Sequence, residues 1–287
     1  MTYEINSTEC TFCGLCAADC PSRIITIDKN SQTAEIASSG CIECSHCAMI
    51  CPVGAVRADG EQLQSYPAGT AEFASSPDAV AAFEHLIKSK RSVRSYKEQP
   101  IDPDDLKAII SAGELTATAS NSRQVKSIVL LDNDVRKASL LICGILKRVV
   151  DIGLSPAGKM LIKLAGLGRY GAKSLLEDYR TRIEDTFKGS SDAFFFQAPA
   201  VVVLTYPAKG KRFGRTDCAL AGENMMLTAH ARGISACMIG FAEAALFTKK
   251  LRRKVGVPAD RRIGLVFTLG YSSRKYYRYP KRESWEA

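Results

Sequence analysis

Apolar positions along the chain change their spacing several times, and each change marks an element. Near the N-terminus the runs are short. Ile24-Ile25-Thr26-Ile27 and Ala34-Glu35-Ile36 flank Asp28-Lys29-Asn30-Ser31 and predict a β-hairpin, with Ala55-Val56 at the matching position of a second half. Glu61 to Ser75 loses periodicity and holds Pro67 and Gly69, which marks a boundary. Ser76-Pro77-Asp78 then predicts a helix start, with a capping serine, proline at the first position and an acid in the first turn. Val80, Phe83 and Ile87 continue it at helical spacing, and a second helix opens at Asp102-Pro103 and carries Leu106, Ile109 and Ile110 before Gly113. Leu140 to Leu146 and Met160 to Leu164 read as apolar helix faces. Phe194-Phe195-Phe196 leads into a core strand at Ala200 to Leu204. Asp217 to Leu227 is an amphipathic helix ended by Gly233, and Val266 to Tyr271 is a last strand.

The short-run region also holds most of the cysteine. Cys10-x-x-Cys13-x-x-Cys16-x-x-x-Cys20-Pro21 recurs, 31 residues on, as Cys41-x-x-Cys44-x-x-Cys47-x-x-x-Cys51-Pro52. Both copies match the run in which three cysteines wrap one iron–sulfur cube and the fourth reaches across to the other. The spacing assigns Cys10, Cys13, Cys16 and Cys51 to one 4Fe–4S cluster, and Cys41, Cys44, Cys47 and Cys20 to the second. A zinc module would use two Cys-x-x-Cys pairs, not two runs of four, and a disulfide scaffold would need an oxidising compartment. His46 sits between two of these cysteines and is surplus to the ligand count. Each half is too small to bury its own core, so the clusters must hold it together.

Composition narrows the rest. The chain of 287 residues has room for a small module plus one larger domain, and a hydrophobic content of 46% supplies a proper core. No signal peptide and no bilayer-length apolar stretch is legible, and three cysteines, Cys143, Cys218 and Cys237, remain as free thiols, which points to a reducing cytoplasm. The net charge is +9, yet residues 1–60 carry seven acids against three bases. The basic body comes with no nucleic-acid-binding motif, so an anionic cofactor and a docking face for acidic partners explain its sign more economically. Gly166-Leu167-Gly168-Arg169-Tyr170-Gly171 formally fits a dinucleotide fingerprint but follows a helical pattern and lacks the strand the mechanism needs. His85 and His230 have no partner ligand in frame and read as structural; Arg252-Arg253-Lys254 and Arg261-Arg262 read as solvated faces.

Two family resemblances follow from these residues. Residues 1–60 resemble the two-cluster bacterial ferredoxins, internal pseudo-symmetry included. Lys90-Arg91-Ser92-Val93-Arg94-Ser95-Tyr96, Pro100 and the helix after it, Ala119-Ser120-Asn121-Ser122-Arg123-Gln124, the Asp217 helix, Ile234 to Phe241 and Val266 to Tyr271 together resemble the nitroreductase family over about residues 77–285. That resemblance implies FMN. Lys90, Arg91, Ser92 and Arg94 become phosphate candidates, Lys90 standing where arginine is more usual. Ser120, Asn121 and Gln124 become flavin-edge candidates, Ile239 and Gly240 would offer backbone groups near the redox-active nitrogen, and Arg282 is a late phosphate contact. The chemistry agrees: guanidinium forks and a hydroxyl suit a phosphate dianion, and an amide both donates to and accepts from a flavin ring. Ala117-Thr118 and Val125-Lys126 depart from the family's Pro-Ser and Pro-Trp.

The expectation is therefore an α+β chain: a ferredoxin module over 1–60, a linker over 61–76, and over 77–287 an FMN domain with a mixed sheet flanked by helices. Residues 139–190 fit no shared core and read as a lid or dimer-packing insertion. The resemblance further implies a homodimer whose C-terminal residues embrace the partner. As an enzyme it would pass electrons from two 4Fe–4S clusters to FMN and on to a nitro compound, quinone or activated alkene, with ferredoxin or another redox protein as donor. The alternatives are an electron carrier or redox sensor without an organic substrate, and a diaphorase that takes hydride from NAD(P)H and loads ferredoxin.

Overall fold

Ala200 to Leu204 is apolar at every position, a pattern a strand tolerates only when both its faces are covered. In the computed structural model all five residues are fully buried. The structure describes residues 3–58, 76–158, 160, 173–209, 212–240, 242 and 249–279. They fall in two compact units, Met1–Val80 with Thr118–Ser122, and Ala81–Ala117 with Arg123–Ala287.

In the second unit a four-stranded sheet is built from β5 (Lys126–Leu131), β6 (Ala200–Pro207), β7 (Ser235–Met238) and β8 (Arg261–Gly270), in the order β5-β6-β8-β7. Every pair is antiparallel, and a parallel bridge between Ser92 and Ala236 makes the sheet mixed. Alternation along β6 then sorts the layers. Val201 and Val203 face α5 (Asp132–Leu154) and α6 (Lys173–Lys188). Ala200, Val202 and Leu204 face α4 (Pro103–Glu114) and α7 (Gly214–Ala231). Helix α4 starts where the Asp102-Pro103 signal places it, with the Asp102 carboxylate accepting from the Asp104 amide at 2.8 Å. It packs on α7 so closely that a Cβ on Gly113 would lie 2.0 Å from Met225 Cε.

The segment over 139–190 differs from expectation. Ile142, Cys143 and Val150 of α5 and Ile183 of α6 are core residues, so what is described of it forms a layer of the fold and not a lid. Burial pushes the Cys143 thiol up to about 11 and leaves it inert. The dinucleotide-like Gly166 to Gly171 run lies outside the described residues, as does nearly all of the expected linker.

The first unit pairs β1 (Tyr3–Ile5) with β4 (Val56–Ala58) and β2 (Ile25–Asp28) with β3 (Thr33–Ile36), the latter being the expected hairpin. Two short helices, α1 (Leu15–Asp19) and α2 (His46–Met49), carry Cys16 and Cys47. The apolar core is small: Tyr3, Cys16, Ile25, Ala48 and Val56. No helix among the described residues is long and apolar enough to cross a membrane.

The core assignment has a direct test. Phe267 of β8 is fully buried in the α4–α7 layer. Replacing it with alanine should destabilise the second unit by about 3–5 kcal/mol, seen as a lower denaturant midpoint. A loss below about 1 kcal/mol would contradict the packing described.

Candidate functional site

The two cysteine loops of the first unit repeat each other in backbone as well as in sequence. Phe12 and Glu43, at equivalent positions, have φ of 53° and 54°; Gly14 and Ser45 have φ of 82° and 63°. Left-handed backbone is uncommon outside glycine and persists only where its surroundings enforce it. At Ser45 the enforcement is visible: the hydroxyl is buried and lies 2.9 Å from the Tyr3 hydroxyl. The turned loops aim amide N–H groups at sulfur. Phe12 donates to Cys10 Sγ and Glu43 to Cys41 Sγ, both at 3.4 Å, and Ala55 donates to Cys51 Sγ at 3.2 Å.

The cysteines then sort themselves. One cavity is lined by Cys10, Cys13, Cys16 and Cys51 with Ile27 and Val56. The other is lined by Cys20, Cys41, Cys44 and Cys47 with Ile24, Ile25 and Ile36. The fourth cysteine of each run thus lies with the other run's three, as the spacing predicts. Among the described residues no three His, Cys, Asp or Glu side chains converge on a single ion. A cube does not require that, because its four ligands bind different corners. Four thiols in an apolar pocket, with N–H donors on the sulfurs, fit an iron–sulfur cluster. His46 is turned instead to Asp19, Nδ1 to Oδ2 at 3.3 Å.

In the second unit the basic run leaves the end of α3 (Pro77–Ser89). Ser92 and Arg94 flank the Cys237 thiol, whose pKa is raised by burial and pulled back by the Arg94 guanidinium and the Ser92 hydroxyl. Lys90 and Arg91 are engaged elsewhere. Lys90 Nζ is 2.5 Å and 2.7 Å from the two carboxylate oxygens of Glu223 on α7. Arg91 folds back onto its own helix, donating to the carbonyls of Lys90 (2.6 Å) and Lys88, where a cation meets the negative end of the dipole.

Gln124 keeps its Oε1 buried without a hydrogen-bond partner among the described residues, an acceptor that a ligand N–H would satisfy. Its backbone carbonyl is held by Arg261 Nη2 at 2.6 Å; Arg261 also donates to Thr205 Oγ1 and to the Thr205 carbonyl. Arg261 is therefore a partly buried clamp, not the solvated cation expected from the basic run, and burial lowers its pKa. The Ile239 amide is already used, donating to the Val266 carbonyl at 2.8 Å, whereas no atom of the described residues, chain neighbours aside, lies within 4 Å of where a Cβ on Gly240 would sit. Ser120 and Asn121 lie in the first unit, in a turn with φ of 53° and 48°, and Asn121 Nδ2 donates to the carbonyls of Ile42 (3.1 Å) and Glu43. Arg282 lies outside the described residues. Glu223 and Arg261 had no sequence signal beyond charge. Only the packed fold brings Glu223 to Lys90, and nothing local marked Arg261.

The model of the Nitroreductase family matches residues 87–271, and that of the 4Fe-4S dicluster domain matches residues 5–55. The chain belongs to the Nitroreductase family, and is an oxidoreductase with a 4Fe–4S dicluster domain ahead of the family domain. It is 24% identical over 204 residues to a 4-nitrobenzoate reductase of Pseudomonas putida, covering 66% of this chain and 85% of that one. A putative NADH dehydrogenase/NAD(P)H nitroreductase of Archaeoglobus fulgidus is 23% identical over 195 residues, covering 65% of this chain and 83% of the relative. The nitroreductase of Bacteroides fragilis, solved with bound FMN, shares the fold with a TM-score of 0.50 at 23% identity, over 71% of this chain and 94% of its own.

One titration follows from the packing at the end of α3. His230 Nε2 lies 2.8 Å from Ser89 Oγ, and its pKa is lowered by burial first, then by Lys90, His85 and Arg91. The unfolded chain takes up this proton first as pH falls below the ordinary histidine value of about 6.5, so stability should fall with pH through that window. Denaturation midpoints measured between about pH 7.5 and 5 should show the fall, and His230→Gln should flatten it. An equally steep fall in the variant would contradict this.

Proposed function

We propose that the chain accepts electrons singly at its dicluster domain and delivers them in pairs, through FMN held by the second unit, to a small organic acceptor. Nitro compounds, quinones and activated alkenes are the candidate acceptors. The observation that carries this reading is the sorting of eight cysteines into two apolar pockets on the same chain as a nitroreductase-family domain. Bound FMN supplies the exchange between one-electron and two-electron chemistry.

The chain's own residues then have separate tasks. Arg94 and Ser92 bind the phosphate, presenting a guanidinium fork and a hydroxyl beside Ala236 and Cys237. Arg91 joins them by releasing the carbonyls that end α3. Lys90 contributes charge from its pair with Glu223 and not a direct contact. The buried Gln124 Oε1 accepts a ring N–H, and the open space at Gly240 lets a planar ring approach the backbone. Arg282 completes the phosphate site. No side-chain acid or base is assigned, so the protons come from water. In the cell we place this activity in the cytoplasm, in a homodimer served by ferredoxin or a similar redox protein. A second reading, hydride entry from NAD(P)H, is favoured by the name of the Archaeoglobus relative.

Anaerobically isolated protein should carry iron and inorganic sulfide for two cubes and one FMN per chain, and reduced ferredoxin should turn over a nitroaromatic probe. Fast reduction by NAD(P)H, with ferredoxin inert, would replace this reading by the second. Arg94→Ala should weaken FMN binding to the flavin-depleted protein by roughly ten- to hundred-fold, since a hydrogen bond to a charged group contributes about 1.5–3 kcal/mol. Fluorescence titration measures it, and unchanged affinity would remove Arg94 from the site.

A further inference from the structure

Three features of the chain have no role in the proposed reaction. One is the cavity bordered by Lys97, Asp132, Arg136, Ser139, Thr186 and Asp192, but its buried hydroxyls are already satisfied: Ser139 donates to Asp192 at 2.6 Å and Thr186 to the Arg182 carbonyl at 2.8 Å. Another is the exposed Val80, Phe83 and Ile87 stripe of α3, for which nothing identifies an occupant. The third is the amide of Asn121, and it leads further.

Within the first unit, Asn121 Nδ2 donates to the carbonyl of Ile42 at 3.1 Å and to that of Glu43. These residues lie between the ligand candidates Cys41 and Cys44. The Ile42 carbonyl and the Glu43 N–H belong to one peptide group, and that N–H is the donor to Cys41 Sγ at 3.4 Å. A single planar unit therefore joins the Asn121 amide to a cluster sulfur. A hydrogen bond accepted at the carbonyl polarises the peptide and strengthens what its N–H donates. The first loop has the same N–H to sulfur contact, Phe12 to Cys10 at 3.4 Å, but no side chain among the described residues donates to the Thr11 carbonyl. The two loops share their backbone turns and their N–H to sulfur contact, so the Asn121 bond is one point at which their symmetry is broken. The turn that presents it is held by Asn121 N to Thr118 O (2.9 Å) and Ser122 N to Ala119 O (3.2 Å), which fixes Ser120 and Asn121 in left-handed backbone.

We propose that Asn121 is a positioning residue for the second cysteine loop, and that it raises the potential of the cluster held by Cys20, Cys41, Cys44 and Cys47 above that of the other. N–H donors on the sulfurs stabilise the reduced, more negative cube. The higher-potential cube is the one on which an incoming electron settles, and so the one that passes it on. This last step rests on the flavin reading above. In each transfer the reduced cube loses one electron and the flavin gains one. Two transfers and two protons from water complete a two-electron reduction, with reduced ferredoxin as the source of electrons.

The test is an EPR-monitored redox titration of anaerobically isolated Asn121→Ala holoprotein, with the second cluster's signal identified as the one perturbed by Cys41→Ser. Losing the donor should shift that cluster's one-electron equilibrium about five-fold toward the oxidised form, a fall of roughly 40 mV at 59 mV per tenfold, and leave the first cluster unmoved. Should alanine cost cluster content, Asn121→Asp, of the same size but without the donor, should give at least as large a fall. An equal shift in both clusters, a shift in the first alone, or no shift would overturn the proposal. So would weaker FMN binding at unchanged potentials, which would make Asn121 a flavin contact. Protein that carries both clusters and the expected shift but no FMN would leave the assignment of Asn121 standing and sink the flavin reading instead.

Discussion

Cysteines exchanged between two short loops are what the N-terminal unit depends on. Its own apolar core is five residues, too little to order two loops that each hold non-glycine residues in left-handed backbone. The fourth cysteine of each run lies with the other run's three, so neither pocket is complete without both halves of the repeat. Cluster ligation and folding are then one event, as in other small metal-held domains. The amides aimed at Cys10, Cys41 and Cys51 add a second consequence, since the donors that finish each turn also set the electron affinity of what the turn encloses.

The second unit works the opposite way, with a scaffold that stands on apolar packing and leaves its polar groups to function. β6 is covered on both faces, and every residue from Ala200 to Leu204 is committed to one helical layer or the other. Against that rigid sheet a few polar groups are held without full satisfaction. Gln124 Oε1 has no partner among the described residues, and Arg91 is parked on helix carbonyls that water could serve as well. Groups held in place but underused are what a site for an anionic, hydrogen-bonding cofactor requires. Arg261 fixes the backbone at Gln124, at the cost of partial burial of its charge.

Much of this was legible in sequence where a residue's type alone dictates its environment. The cysteine spacing implied the cross-over of Cys20 and Cys51, the Asp102-Pro103 pair located the start of α4, and unbroken hydrophobicity announced β6. Partners distant in sequence were not legible. Residues 139–190 were read as an insertion because they match no family pattern, yet Ile142, Cys143, Val150 and Ile183 among the described ones are core residues. The family resemblance made Lys90 a phosphate candidate, and its pairing with Glu223 is set by packing between segments 133 residues apart in the chain. Asn121 is the clearest case. The family resemblance made it a flavin-edge candidate, and nothing in the sequence announced the bond its amide makes to a cysteine loop 79 residues upstream.

The central claim is that electrons reach the flavin by way of the cubes. Rapid mixing of the anaerobic, oxidised holoprotein with reduced ferredoxin, followed at cluster and flavin wavelengths together, tests it most directly. The account predicts that the cluster absorbance bleaches first and the flavin follows, at a rate no slower than turnover. A flavin that is reduced while the clusters stay oxidised, or clusters that are reduced while the flavin never follows, would contradict it.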